Sequence, residues 1–360
     1  MAGLNLLVLN VGSSSLKWSR FDGEVLVADG NEDWQPEDLV TRIGDLLGEH
    51  MVDAVGHRIT HGGPRFRSSV RIDAAVRAEL GSLIPLDALH LGPTLAVVDA
   101  VTAARPDLPQ IAVFDTTFHA TLSEAAFRYA VPASWADHHG IRRYGFHGLS
   151  VDWAVSRIAT VAGAVPARLI VCHLGSGCSV TAVAAGRSVD TTMGFSPLEG
   201  VVMATRSGSI DPGALLHLLI DEKLDPVALR DMLSQHSGWK GVSGLSADLR
   251  QVLAAAQQGH AAATVAVDVF VHSLRRAIGA MAGVLGGADA MVFTGAIGEG
   301  SSVIRRRAAL ALPGLELDDT ATGSSDRRLS TARSSVDAWL IHAREDLVIR
   351  RETARLAAAP

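Results

Sequence analysis

Residues 6–17, LLVLNVGSSSLK, and residues 169–179, LIVCHLGSGCS, are two versions of one phrase, and that repetition restricts the fold more than any other feature of the chain. In each, an apolar run of strand length leads through one polar and one apolar residue to a glycine and a string of small residues. Setting Gly12 on Gly175 sets Asn10 on His173, Ser13 on Ser176 and, at the turn after the next strand, Gly23 on Gly186. A strand that runs into a loop without bulk leaves backbone N–H groups able to close on an anion. Asn10, Ser13 and Ser15 add donors there, and Lys17 adds a positive charge. The spacing is not that of a Walker A loop, which requires two glycines and a Lys-Ser/Thr pair. Two copies of such a unit predict two similar domains facing each other across a cleft, each gripping part of a phosphate chain.

The 360 residues are enough for two domains of ordinary size. With 48% hydrophobic and 19% charged residues the composition is globular, and a net charge of −6 without a basic run argues against a nucleic-acid partner. Any bound anion must therefore be held locally. The chain does not open on a basic segment followed by a signal-length apolar core. The apolar stretch 277–298 is rich in Gly and Ala and interrupted by Asp289. It reads as a helix end, a Gly286-Gly287 stop and a buried strand at 291–294, so a cytoplasmic protein without a membrane partner is expected. Cys172 and Cys178 flank the second loop without metal-binding spacing and are expected to be buried thiols.

Between the repeats, residues 16–21 and 25–28 read as strands joined in a hairpin at Asp22-Gly23. Residues 36–47 place Leu39, Ile43, Leu46 and Leu47 at helical spacing behind Pro36. The strand AVGHRIT, 54–60, delivers His57, Arg58 and His61 to a Gly62-Gly63 turn. A guanidinium cannot shed its charge, so Arg58 at the tip of an apolar strand needs an anion. PLDALH, 85–90, precedes a helix expected to start near Pro93. The strand IAVFD ends in Asp115, where α/β sheets carry functional acids, although a helix cap would explain the same residue. IRRYGFHG, 141–148, brings His147 to the start of a further helix, where the passage into the second domain is expected.

Taken in order, NVGSSSLK, GHRITHGG, VFDTTFH, RRYGFHG, CHLGSGCS, MGFSPLEGVVMATRSGSIDP and FTGAIGE resemble the acetate kinase family over essentially the whole chain. The resemblance implies an α/β fold of two duplicated actin/ribonuclease H-like domains, the acetate and sugar kinase/Hsp70/actin type. Residues 1–147, completed by a C-terminal helix at 346–360, would form one domain, and 148–345 a nucleotide-binding, dimerising second. It implies reversible phosphoryl transfer from ATP to acetate or a similar short-chain carboxylate, giving acetyl phosphate and ADP, with Mg2+ or Mn2+, in a homodimer.

Residue by residue, the resemblance has Arg58 and Arg206 hold the carboxylate and the transferring phosphoryl, His147 bond its equatorial oxygens, and Asp115 orient the arginines or a metal-bound water. Asn10, Ser13, Ser15, Lys17 and His173 would contact phosphates, and Glu345 with Asn10 would hold the metal. Thr60, Leu89, His90, Phe146 and Pro197 would line the acyl pocket. Gly175, Ser176 and Gly177 would meet the β-phosphate, Asp248, Leu249 and Arg250 would bracket adenine, and Gly295, Ala296, Ile297, Gly298 and Glu299 would lie beneath ribose and α-phosphate.

Several positions depart from the family pattern. Thr60 stands where valine is usual, its hydroxyl expected to bond its own strand backbone, with a polar or larger acid as the sharper alternative. Ser176, Ala296, Gly300, Arg344 and an extra residue after His90 are further departures, which keep propionate, butyrate and a pyrophosphate donor open. A non-catalytic nucleotide sensor is disfavoured because it would need no carboxylate clamp of Arg58 and Arg206, and a sugar kinase because it would need a base beside a hydroxyl.

Overall fold

The computed structural model describes residues 3–12, 15–33, 38–48, 51–318 and 325–358; the side chains of Ala88 and Leu89 lie outside that description. Among the described residues are two six-stranded sheets. The first comprises β1 (Asn5–Val11), β2 (Ser15–Asp22), β3 (Val25–Asp33), β4 (Ala54–Ile59), β5 (Val70–Arg71) and β6 (Gln110–Phe114), in the order β3-β2-β1-β4-β6-β5. The second comprises β7 (Arg168–Leu174), β8 (Cys178–Ala184), β9 (Arg187–Thr191), β10 (Ala290–Thr294), β11 (Arg327–Arg328) and β12 (Asp337–Leu340), in the order β11-β12-β10-β7-β8-β9. Read from opposite edges, the two orders coincide. In each, an antiparallel hairpin feeds a central run of parallel strands, β1-β4-β6 and β7-β10-β12, closed by a short antiparallel edge strand. β6 and β10 are buried along their whole length, as unbroken apolar runs in a covered parallel sheet must be.

The registers carry the repeat to single residues. Leu9 pairs with His57 and Cys172 with Phe293, while His57 pairs with Ala112 and Phe293 with Leu340. Arg58 is therefore the counterpart of Thr294, and Asp115 of Ala343. The match slips once, at the loops. Val11 closes on Leu16, but Leu174 closes on Cys178, so the first loop is one residue longer. Gly23 consequently falls on Ala185 rather than on Gly186, and Ala185 takes the left-handed conformation (φ 47°) that Gly23 also takes (φ 57°).

By internal contacts the chain groups into two compact units, Met1–Ala120 with Arg344–Pro360, and Thr121–Ala343, so residues 121–147 go with the second. In the first, the helix Leu39–Gly48 buries Leu39, Ile43, Leu46 and Leu47 against Val97 and Val101 of the helix Ala88–Ala104. The latter begins ahead of Pro93 and holds that residue inside it, early enough that few intrahelical bonds are lost. The helix Glu345–Ala357 crosses β4 closely: a Cβ on Gly56 would stand 2.1 Å from Thr353 Oγ1. Gly56 thereby lets the helix that opens on Glu345 sit against the strand that ends near Arg58. In the second unit, Phe270, Leu274 and Ile278 of the helix Ala261–Leu285 pack with Val180, Ala182 and Met291, and Gly286 ends the helix in the left-handed region (φ 67°). Among the described residues no helix is long and apolar enough to cross a membrane.

Candidate active site

In the first unit, Asn10, Arg58 and Asp115 stand at the carboxyl ends of three neighbouring parallel strands, where open α/β sheets place their ligands. Arg58 donates through Nε to Asp115 Oδ1 (3.1 Å) and through Nη2 to Oδ2 (2.6 Å), the two-pronged geometry that a planar guanidinium makes with a carboxylate. Its Nη1 donates to Asn10 Oδ1 at 3.1 Å, and its Nε lies 3.8 Å from Glu345 Oε2. Asn10 Nδ2 in turn donates to Glu345 Oε2 at 3.4 Å. Burial works against the Arg58 charge, but Asp115 and Glu345 outweigh it and its pKa is raised. Burial also raises the Glu345 pKa, against the pull of Arg58 and with the push of Asp115. Lys17 faces Asn10 across the hairpin and is exposed. The Ser15 carbonyl accepts from Gly12 N–H at 2.7 Å and closes the loop, and Ser13 lies outside the described residues.

Alternation along β4 separates His57 from Arg58. His57 is fully buried beside Gln110 Oε1 (2.8 Å), and burial brings its pKa down to about 4, so it is a neutral core residue. Thr60 donates its hydroxyl to Asp87 Oδ2, not to its own strand backbone as expected. The other Asp87 oxygen lies 2.8 Å from His90 Nδ1. Burial opposes ionisation of Asp87, yet His90 and Thr60 bring its pKa below the ordinary value. Of the remaining residues expected in the acyl pocket, Leu89 has no described side chain, Phe146 is buried in the second unit, and Pro197 offers its carbonyl to Arg206 Nη1 at 3.3 Å.

In the second unit, His147 caps the helix Gly148–Ala162 from a left-handed backbone conformation, φ 58° and ψ 21°. A non-glycine residue held there is strained, and such strain gathers at functional sites. Its Nδ1 lies 3.0 Å from Ser179 Oγ, and its ring overlies that of His173 at 4.1 Å. His173 Nδ1 lies 2.7 Å from Ser150 Oγ. A Cβ on Gly177 would stand 3.2 Å from His147 Nε2 and 3.7 Å from Arg206 Nη1, so both tips converge over a loop that only glycine keeps open. Ser176 contributes its carbonyl to Ala204 N–H at 3.0 Å. Cys172 and Cys178 are free and buried, as expected, and burial pushes the Cys178 thiol up to about 12.

The turn Gly295–Gly300 adjoins this loop. Gly295 is left-handed (φ 78°), and a Cβ there would meet the Leu174 carbonyl at 2.7 Å. Ile297 packs on the core, while Ala296 and Gly300 are exposed, so the Ala296 methyl stands in the open. Glu299 turns its carboxylate onto backbone amides. Asp248 caps the helix Leu249–Gln257, accepting from Arg250 N–H at 2.9 Å, while Leu249 is buried in the core and the Arg250 side chain is exposed. The structure thus gathers Asn10, Arg58, Asp115 and Glu345 in one cluster, and His147, His173, Gly177 and Arg206 in another. Asp87, Ser150 and Ser179 carry no local sequence signal of these contacts, although PLDALH and the second loop contain two of them.

A model of the Acetokinase family matches residues 38–351. The acetate kinase of Deinococcus deserti is 40% identical over 392 aligned residues, covering 98% of this chain and 98% of its own. That of Gloeobacter violaceus is 46% identical over 308 residues, 84% of this chain and 76% of its own. Porphyromonas gingivalis acetate kinase superposes with a TM-score of 0.90 at 31% identity over 98% of this chain and 100% of that one. A propionate kinase from Francisella tularensis does so with a TM-score of 0.90 at 32% identity over the same shares. With the duplicated α/β fold and both clusters in place, the chain belongs to the acetokinase family.

Proposed function

We propose that the protein is an acetate kinase, moving the terminal phosphoryl group of ATP onto acetate and back. The observation that carries this reading is the Arg58 guanidinium, gripped on two prongs by buried Asp115 and bordered by Asn10 and Glu345. In the forward direction a carboxylate oxygen bonds to the terminal phosphorus while the bond to the bridging oxygen breaks, its electron pair leaving with ADP. The attacking carboxylate is already ionised at neutral pH, so no general base is required. What the site must supply is positive charge and alignment, because charge spreads over the equatorial oxygens at the transition state. Arg58 from one cluster, and His147 and Arg206 from the other, are the groups we assign to that task.

The Glu345 carboxylate would hold a divalent cation, with Asn10 beside it. Burial and Asp115 both raise the Glu345 pKa, so a cation beside it relieves the cost of its charge. Magnesium is typically bound by one or two carboxylates together with substrate phosphates, and Glu345 would be the carboxylate here. When bound, magnesium neutralises phosphate oxygens.

Hydroxylamine trapping tests the reading. Acetyl hydroxamate should form from acetate, ATP and Mg2+; its absence would refute the assignment, and formation with pyrophosphate alone would move the donor. Thr60 has committed its hydroxyl to Asp87, so Thr60→Val should leave the ranking of acetate, propionate and butyrate unchanged. The same change should lower stability by about 1–3 kcal/mol in urea titrations, since Asp87 is buried and loses a donor. A changed ranking would return a selectivity role to Thr60.

We also propose that two copies associate through the helix Pro212–Ile220, which buries none of its residues although it reads PGALLHLLI. Leu216 and Ile220 are more than half exposed, with Ile210 exposed beside them in sequence. Light scattering should give twice the 37.7 kDa chain mass, and Leu216→Glu should halve it. A monomeric wild type would remove the proposal.

A further inference from the structure

Beyond the ends of β6 and β12 the two sheets differ in a hydrogen bond. In the first sheet the Asp115 N–H continues the ladder past β6 by donating to the Ile59 carbonyl at 2.9 Å. The counterpart amide in the second sheet is Ala343 N–H, and the counterpart acceptor is Gly295, by the registers that equate His57 with Phe293 and Ala112 with Leu340. One step earlier the ladder is intact, Ile341 N–H donating to the Phe293 carbonyl at 3.0 Å. At Gly295, however, the chain has swung into the left-handed region and begun the short helix Gly295–Gly300. Ala343 N–H donates instead to Glu299 Oε1 at 3.0 Å, and the same oxygen accepts from Gly295 N–H at 3.0 Å. A side chain thus stands in for the missing main-chain bond.

Both partners of this latch are braced. Glu299 Oε2 lies 3.8 Å from His342 Nε2. The His342 N–H donates to Asp326 Oδ1 at 2.8 Å, and Asp326 Oδ2 accepts from Arg157 Nε at 2.5 Å. Trp153 Nε1 donates to the His342 carbonyl at 2.7 Å. On the other side Arg305, almost wholly buried, donates to the Gly298 and Glu299 carbonyls at 2.8 and 2.7 Å.

We propose that Glu299 is a positioning residue, locking the turn Gly295–Gly300 to residues 341–343 and thereby setting together the nucleotide's seat and the segment that leads, two residues on, into Glu345. The inference rests on the phosphotransferase reading above. It assigns Glu299 to the protein's own amides and not to direct contact with ribose, phosphate or metal. A latch of this kind needs reach and an acceptor oxygen but no charge, whereas a contact to metal needs the charge.

Three variants separate these roles, with wild type assayed alongside so that failure of the phosphotransferase reading is seen independently. Glu299→Ala should raise KM for ADP and the half-saturating Mg2+ concentration on the order of tenfold or more, as loss of a supporting partner does, with KM for acetyl phosphate within about twofold. Glu299→Gln keeps length and an acceptor and should stay within about threefold of wild type on all of these. Glu299→Asp keeps the charge but is one methylene too short to span both amides, and should follow the alanine variant. Should Glu299→Ala not fold, the Gln and Asp variants decide. Asp better than Gln, nucleotide and metal dependence unchanged in Asp, or an equal rise in both substrates' KM would each overturn the proposal.

Discussion

Arg58→Ala should reduce kcat for acetyl phosphate formation on the order of a hundredfold to a thousandfold, about 3–4 kcal/mol of transition-state stabilisation, the scale of removing one preorganised donor. The same change strands Asp115, which is 1% exposed and would keep a buried charge without its main partner. Breaking a buried pair from one side typically costs about 3–5 kcal/mol of folding stability, so lost activity alone would not identify the role. Arg58→Lys separates the effects. An ammonium retains the charge that Asp115 requires but not the fork that grips a carboxylate on one edge and presents donors on the other. The lysine variant should recover most of the stability, read by urea titration, and little of the rate. Recovery of rate along with stability would reduce Arg58 to a structural ion.

Arg206→Ala should bring a loss of similar size, about a hundredfold or more in kcat. The side chain is half-buried, its guanidinium donating through Nη1 to the Pro197 carbonyl at 3.3 Å and approaching Gly177. His147 behaves differently because its backbone is left-handed (φ 58°). His147→Asn, tolerant of that conformation, is the informative substitution, and it should cost rate without unfolding the helix that His147 caps. Steady-state kinetics with thermal melts check both. An Arg206→Ala enzyme turning over within about threefold of wild type would place that residue outside the reaction.

Much of the architecture was legible because it is written twice. An apolar run into a glycine loop, met again after Gly12 at Gly175, is enough to predict paired sheets, and the registers extend the pairing to Arg58 and Thr294. Arg58 with Asp115 was legible for another reason: both are charged residues ending apolar strands, and a buried charge must be answered. What escaped notice depends on partners far apart in sequence. Nothing local in PLDALH tells that Asp87 waits for the hydroxyl of Thr60, and nothing in GAIGE tells that Glu299 turns back onto its own turn and onto Ala343. The helix around Pro93 begins earlier than the proline suggested, since proline is tolerated near a helix start and does not mark it. The triplet Asp248-Leu249-Arg250 illustrates the converse. Its charged members face solvent, but the helix period turns Leu249 into the core, which the three letters alone do not reveal.

The proposed function requires that Arg58, His147 and Arg206 act on the same phosphoryl group. A crystal structure of the protein with ADP, Mg2+, acetate and a planar fluoride mimic of the transferring group measures that directly. The account predicts Arg58, His147 Nε2 and Arg206 all within about 3.2 Å of the mimic's equatorial atoms or the acetate oxygens. A mimic held with any of the three facing a separate surface would contradict it.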